Sequence, residues 1–379
     1  MTTIVIGAGP AGLAAAAMLQ RAGEQVVVLE RGEIGASWRS RYDRLQLHTV
    51  RWLSGLPGYR IPRSFGKWPS RDSVVEYLGR YAARHAIDVR TGVDVQTIGR
   101  DDAGWALGTS NGAFDAPRVV IATGHSNVPF VPSWPGELDG DIVHSASYRN
   151  PVPFRSRRVV VVGSGNSGAE IAVDLADGGA ADVRLSVRTP PSIVRRDTLG
   201  FPSQVLGIAT AHLPPRAVDR IALTIRRVSI PDLAPHGLPA PEHPYFDFVR
   251  RRVVPILDVG IVEAVRNGRV KVVAPIERLD GAYVVLTDGS RVAADTVLAA
   301  TGFRTGLEGL VGHLGVLDKY GEPLVHGAEA HPKAPGLHFV GYRIVLGGAL
   351  RAAGHDAKQL ARSVARSRAE VPAAALAAA

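Results

Sequence analysis

Two glycine-rich turns carry the first chemical signal. Gly7-Ala8-Gly9-Pro10-Ala11-Gly12 and Gly163-Ser164-Gly165-Asn166-Ser167-Gly168 both read G-x-G-x-x-G. That spacing allows a tight turn, close approach of backbone to a pyrophosphate, and close packing of a helix on the preceding strand. The first turn follows the β-branched run Thr3-Ile4-Val5-Ile6 and precedes a helix-favouring stretch, Leu13 to Arg21, with Gly23 as its stop. Gln25-Val26-Val27-Val28-Leu29-Glu30 then reads as a strand ending in an acid. Glu30 stands 18 residues past Gly12, where a carboxylate can hydrogen-bond a ribose. The second turn follows Val159-Val160-Val161-Val162 and precedes a helical Ala169 to Asp177, stopped by Gly178-Gly179. The next strand, Asp182 to Arg188, ends in an arginine, which suits a ribose 2′-phosphate that a glutamate would repel. The first site thus reads as FAD or NAD and the second as NADPH. One consistent pair is a flavin and the nicotinamide that reduces it.

The elements around these turns are also legible. Val119-Val120-Ile121-Ala122-Thr123-Gly124 and Val297-Leu298-Ala299-Ala300-Thr301-Gly302 are buried strands running into Gly turns, where the chain is expected to cross between two domains. A last strand, Leu337 to Gly341, precedes Gly347-Gly348 and a helix from Leu350 to Arg366, which returns the chain to the first domain. The expected fold is α/β, with two Rossmann-like dinucleotide-binding domains, the NADPH domain inserted into the FAD domain. The expected boundaries are 1–152 for the first part of the FAD domain and 153–290 for the NADPH domain, with a Pro-rich insertion at 195–252. Residues 291–379 complete the FAD domain, with a frayed Ala-rich tail from Pro372.

Composition bounds the rest. A chain of 379 residues, 46% hydrophobic and 21% charged, can bury two or three domain cores. It contains no cysteine, which removes disulfide scaffolds, thiol nucleophiles, cysteine metal sites and dithiol redox pairs. The net charge of +9 is nearly all arginine, since lysine occurs five times. Basic residues are scattered apart from Arg226-Arg227 and Arg250-Arg251-Arg252, without interleaved aromatic residues, so no nucleic-acid partner is expected. No leader or transmembrane run is read, and a cytoplasmic location is expected. No metal signature occurs among the twelve histidines. Pro231, Pro235, Pro239, Pro241 and Pro244 indicate a long loop. Val218, Ile221, Ile225 and Val228 recur at helical spacing, as in a core-facing surface helix, with a substrate lid or membrane-surface helix as the alternatives.

The chain resembles the flavin-containing monooxygenase family over roughly residues 3–366, and most of all its plant YUCCA and bacterial members. Ile34-Gly35-Ala36-Ser37-Trp38, Tyr42-Asp43-Arg44-Leu45-Gln46-Leu47-His48, Trp68-Pro69-Ser70 and Pro255-Ile256-Leu257-Asp258-Val259-Gly260 carry this resemblance. So do Pro129, Pro132 and Pro135-Gly136. The family's identifying pattern, F-x-G-x-x-x-H-x-x-x-[FY], reads here as Leu138, Gly140, His144 and Tyr148, with Leu in place of Phe. Tyr148-Arg149 stands where a Baeyer–Villiger enzyme would have Trp-Pro, and the 48–51 stretch lacks the asparagine of animal members.

The resemblance implies FAD contacts from Gly7, Gly9, Gly12, Glu30, Trp38, His48 and the backbone of Val95. Pro10, Ala11, Arg31, Ser37, Ala122, Thr123, Gly124, Thr301 and Gly302 complete the cofactor-binding set around the turns. It implies NADPH contacts from Gly163, Gly165, Asn166, Ser167, Gly168 and Arg188. His48 and Asn166 are the candidate catalytic residues, placing flavin and nicotinamide, and His144 is read as a structural linker. The implied reaction is NADPH reduction of FAD, capture of O2 as a flavin hydroperoxide, and insertion of one oxygen atom into a small substrate. That substrate is a soft N or S nucleophile or a 2-oxo acid. The alternative is a flavin-dependent NADPH oxidase or reductase without oxygen insertion. Expected partners are the substrate and O2, and a homodimer is admissible.

Overall fold

The computed structural model describes residues 2–101, 104–198, 200–210, 212–241 and 254–369. Pro244, the Arg250-Arg251-Arg252 run and the tail from Pro372 lie outside the described residues. The chain divides into two compact units. The first is built from Met1–Ser40, Thr49–Val128 and Arg304–Ala379, and the second from Arg41–His48 and Pro129–Phe303.

The first unit centres on five parallel strands. Their order is Leu337–Phe339, Arg118–Ile121, β1 (Thr2–Ile6), β2 (Gln25–Glu30) and Asp88–Thr91. β1 is apolar along its length because a parallel strand is covered on both faces, and Val5 is fully buried. Helix α1 (Pro10–Arg21) links β1 to β2. Its run Ala14-Ala15-Ala16-Ala17 is buried all round, and small side chains let it lie close against the long helix Ala349–Ala369. A three-stranded antiparallel sheet, Val95–Asp101, Gly104–Thr109 and Gly112–Ala116, adds Trp105 to the core. The indole N–H of Trp105 donates to the Pro335 carbonyl at 3.1 Å, so the buried ring leaves no orphaned donor.

The second unit repeats this plan. Its five parallel strands run in the order Lys271–Val273, Asp182–Ser186, Arg158–Val162, Thr296–Ala299 and Asp141–His144. We label Arg158–Val162 β3, the following helix Asn166–Asp177 α2, and Asp182–Ser186 β4. In both units the fingerprint strand lies between the strand after its helix and a strand that is followed at once by Ala-Thr-Gly.

Three expectations need correction. The second unit is larger than 153–290, because Asp141–His144 and Thr296–Ala299 are strands of its sheet. It also takes residues 41–48, which polar side chains fasten to α2: Arg44 pairs with Asp174 at 3.3 Å and with Asp177 at 3.1 Å. β4 stops at Ser186 and leaves Arg188 exposed beyond the strand end. Within 195–252 the chain forms helices Ser203–Ala209 and Pro215–Ser229, the second over the helical spacing of Val218 to Val228, ahead of the Pro-rich loop. On that second helix, Val218 is buried and Ile221 and Ile225 are half-buried, but Val228 is 87% exposed, so the core-facing stripe fails at its last turn.

Candidate cofactor-binding sites

The two fingerprint turns have nearly the same backbone. Gly7 and Gly163 have φ of +103° and +109°, where an L side chain is strained. A Cβ on Gly12 would lie 1.8 Å from the Gly7 carbonyl oxygen, and one on Gly168 would lie 1.9 Å from that of Gly163. These glycines are required by packing alone. The middle glycines differ: a Cβ on Gly9 or Gly165 meets nothing within 4 Å, so the turns face open space where a phosphate group fits.

The Ala-Thr-Gly segments sit directly under these turns. A Cβ on Gly7 would approach the Ala122 carbonyl oxygen at 2.8 Å, and one on Gly163 that of Ala300 at 2.6 Å. A Cβ on Gly12 would meet the Ala122 Cβ at 3.4 Å and one on Gly168 that of Ala300 at 3.3 Å, so small side chains at 122 and 300 suit the close packing. Gly124 and Gly302 then reverse the chain at φ of +79° and +87°. The Thr123 hydroxyl bonds to the Tyr342 hydroxyl at 2.7 Å, and the Thr301 hydroxyl donates to the Phe130 carbonyl.

Both helices begin without a side-chain cap. Gly9 precedes α1 and Gly165 precedes α2, and neither supplies an acceptor for the first-turn N–H groups. By contrast, Ser70 caps the helix Arg71–Arg84 by accepting from the Ser73 N–H at 3.1 Å. Pro10 at the start of α1 removes one N–H that would otherwise lack a partner. Uncapped helix N-termini next to open turns are ready anion sites.

The ends of the second strands differ in charge. Glu30 Oε2 accepts from the Ala8 N–H at 2.7 Å and Oε1 from the Gly32 N–H at 2.9 Å. The carboxylate thus braces the turn and keeps lone pairs for a hydroxyl. Arg31 donates to Asn127 Oδ1 at 3.4 Å, while the Asn127 amide donates to the carbonyls of Thr123, Gly124 and Thr305. Ala11 approaches Gly341, where an added Cβ would lie 2.5 Å from its own. Ser37 is exposed and Trp38 half-buried on the short helix Ala36–Arg39 of the same unit. In the second unit, Arg188 is exposed and makes no hydrogen bond or ion pair among the described residues.

Three further expected site residues have local partners of their own. Val95 pairs with Thr109 across the antiparallel sheet, and it is the Val93 N–H that reaches the Glu30 carbonyl, at 3.0 Å. His48 falls within the second unit and bonds to Glu170 of α2. Asn166 is a clamp: its amide donates to the Pro255 carbonyl at 3.1 Å and its oxygen accepts from the Leu257 N–H at 2.8 Å. Ser167 bonds to Tyr42.

The identifying pattern proves to be scaffold within the second unit. A Cβ on Gly140 would lie 2.2 Å from the Asp295 carbonyl oxygen. The His144 Nε2–H donates to the Gly302 carbonyl at 2.9 Å, and Nδ1 accepts from the Ala146 N–H at 3.0 Å. Burial pushes this imidazole below its ordinary value, so it stays neutral. The Tyr148 hydroxyl donates to Asp174 at 2.7 Å. Sequence reasoning missed Tyr42 and Glu170 as site residues. The available signal was an acid at position 170 on the apolar face of α2.

Among the described residues no group of histidines and acids is arranged to hold a metal ion, and no helix is long and apolar enough to cross a membrane.

Comparison with known proteins follows the same lines. A family model described as pyridine nucleotide-disulphide oxidoreductase matches residues 4–199. The chain is 34% identical over 313 residues to the indole-3-pyruvate monooxygenase YUCCA1 of Oryza sativa subsp. japonica, covering 80% of this chain and 76% of that protein. It is 31% identical over 349 residues to the probable indole-3-pyruvate monooxygenase YUCCA4 of Arabidopsis thaliana, covering 89% and 84%. Among solved structures, a flavin-containing monooxygenase from Stenotrophomonas maltophilia superposes with a TM-score of 0.76 at 26% identity, covering 97% of this chain and 98% of that one.

Proposed function

The chain belongs to the flavin monooxygenase family, and from that premise we propose that it is an NADPH-dependent FAD monooxygenase. It places one oxygen atom of O2 into a small organic substrate, either a soft N or S nucleophile or a 2-oxo acid. The 2-oxo acid class is the one in the names of the rice and Arabidopsis relatives. The observation that carries the reading is the pair of like turns with unlike charges beyond them: Glu30 after the first and the exposed Arg188 after the second.

FAD fits the first turn. The open face at Gly9 and the uncapped start of α1 receive its pyrophosphate, and Glu30 receives a ribose hydroxyl. NADPH fits the second turn in the same manner, with Arg188 for the 2′-phosphate. Bound FAD supplies hydride acceptance from NADPH and activation of O2. The protein supplies binding, orientation and exclusion of water. Cysteine-based disulfide reduction is closed to this chain, which contains no cysteine.

The test is a balance sheet on purified protein loaded with FAD. One NADPH, one O2 and one proton should yield one oxygenated product, one water and NADP⁺ with a sulfide, an amine or a 2-oxo acid; the 2-oxo acid product loses CO2. Retained flavin and near-unit coupling for one class support the proposal. Release of one H2O2 per NADPH with every class would make the protein an oxidase. Failure to retain FAD would overturn the reading altogether.

A further inference from the structure

Helix α2 carries a buried carboxylate that the cofactor assignment does not use. Glu170 is 4% exposed and lies on a helix whose neighbouring Ile171, Ala172 and Leu175 are fully buried. Removing such a group from water costs several kcal/mol unless partners replace the lost hydration, and a well-packed apolar side chain serves stability as well or better. Among the described residues each oxygen of Glu170 has one hydrogen-bond partner, and both come from residues 41–48. Oε1 bonds to His48 Nε2, and Oε2 accepts from the Tyr42 hydroxyl at 3.1 Å.

The chemistry of these donors fixes the arrangement. Burial, then the adjacent Glu170, push the Tyr42 hydroxyl well above the ordinary phenol value, so it stays protonated and donates to Glu170. Arg196 interacts electrostatically with Glu170 from outside α2, and its Nη1 donates to Gln46 at 2.9 Å. Arg44 and Asp174 are engaged with each other one turn farther along. An ionised carboxylate only accepts hydrogen bonds, so the imidazole nitrogen that faces it must carry the hydrogen.

We propose that Glu170 is a positioning residue that holds His48 with its hydrogen on Nε2 and leaves Nδ1 as an acid–base nitrogen of the second unit. His48 is open enough for this, its side chain being 27% exposed against 5% for Glu170. Neutral His48 takes one proton at Nδ1 from substrate or water and becomes imidazolium. Glu170 stays a carboxylate and balances that charge, the proton leaves by the reverse step, and no electrons move. The catalytic use of Nδ1 rests on the monooxygenase reading, whereas the tautomer does not.

The experiment has two arms. In the first, nitrogen NMR of the protein without added cofactors reads the neutral His48 ring. The wild type should show hydrogen on Nε2 with a downfield-shifted proton, and Glu170→Gln should lose that proton signal and mix the tautomers. An unchanged tautomer would overturn the proposal, even in a protein without NADPH turnover. In the second, the FAD-loaded enzyme is assayed for NADPH turnover across pH. Glu170→Gln and His48→Asn should lose the same ionisation, with kcat down about 10- to 100-fold and KM for NADPH nearly constant. The double variant should be no slower than His48→Asn alone; additive losses would overturn the dyad. Should Glu170→Gln fail to fold, Glu170→Asp retains the charge and should retain the ionisation. Tyr42→Phe should lower Tm and leave the pH profile in place; a profile altered as in Glu170→Gln would mean that packing, and not His48, carries the effect.

Discussion

The Asn166 side-chain oxygen accepts a hydrogen bond from the Leu257 N–H at 2.8 Å, 91 residues along the chain. Its amide donates to the Pro255 carbonyl at 3.1 Å, so one side chain brackets the strand Ile256–Asp258 against the start of α2. Asn166→Leu removes both bonds and leaves two backbone groups to find water, at a cost of about 1–3 kcal/mol. The expected result is a lower Tm for the second unit with FAD content unchanged. Asn166→Asp keeps an acceptor for Leu257 but sets a negative charge against the Pro255 carbonyl and at the start of the helix. There it opposes a bound phosphate, so KM for NADPH should rise about tenfold or more. An unaltered KM in Asn166→Asp would separate this helix from NADPH binding.

The fingerprint glycines allow ligand binding to be tested apart from folding. Gly9 and Gly165 have extended backbone, with φ of −82° and −84°, and an added Cβ has nothing within 4 Å. Gly9→Ala and Gly165→Ala should therefore fold with near-native Tm. Gly9→Ala should lose flavin affinity by about tenfold or more, and Gly165→Ala should lose NADPH affinity by a similar factor with flavin retained. Gly12→Ala and Gly168→Ala place a methyl within 2 Å of a carbonyl oxygen and should lose the fold of their unit. Flavin titration and circular dichroism on the four variants decide the matter. Undiminished flavin binding by Gly9→Ala would remove the first turn from the cofactor site.

How much of this was legible in the sequence follows from where the information lies. The strands at 2–6 and 158–162 show in the sequence as β-branched runs because both faces of a parallel strand are buried. The turns show as glycine spacings because their backbones exclude a Cβ at Gly12 and Gly168. Residues 41–48 gave no such sign. Their place in the second unit depends on Tyr42, Arg44 and His48 meeting Glu170, Asp174 and Asp177, which stand more than 120 residues away. Those three acids follow an i, i+4, i+7 spacing on α2, a pattern that equally describes a solvated helix face. For Asn166, the clamp on Pro255 and Leu257 likewise depends on a distant segment, so its hold on a strand gave no local sign. The exposed Val228 marks the opposite failure, where helical spacing continues past the end of the buried stripe.

Arg188 is the residue on which cofactor choice should turn. It is exposed and without an ion pair among the described residues, so Arg188→Ala should change stability by less than about 0.5 kcal/mol. A charge-assisted bond to phosphate is worth about 1.5–3 kcal/mol, which corresponds to about 10- to 100-fold in affinity. The ratio of kcat/KM for NADPH to that for NADH should fall by this factor in Arg188→Ala and further in Arg188→Glu. An unchanged ratio would make Arg188 a plain solvent-facing arginine.

His338 sets an acid limit on the first unit. It is 7% exposed on the strand Leu337–Phe339, and its Nδ1 has no hydrogen-bond partner among the described residues. Burial, reinforced by Arg118, lowers its imidazole to about 4. An unfolded histidine titrates near 6.5, so between those two values the unfolded chain binds a proton that the folded chain does not. Stability from this group is therefore complete above about pH 6.5 and is lost as pH falls towards 4, by on the order of 3 kcal/mol. His338→Leu removes the titrating group while keeping an apolar side chain in the strand. Its Tm should fall less steeply than that of the wild type between pH 7 and pH 4, with the two curves converging above pH 7 apart from a constant packing difference. Parallel curves over the whole range would show that His338 does not resist protonation in the fold.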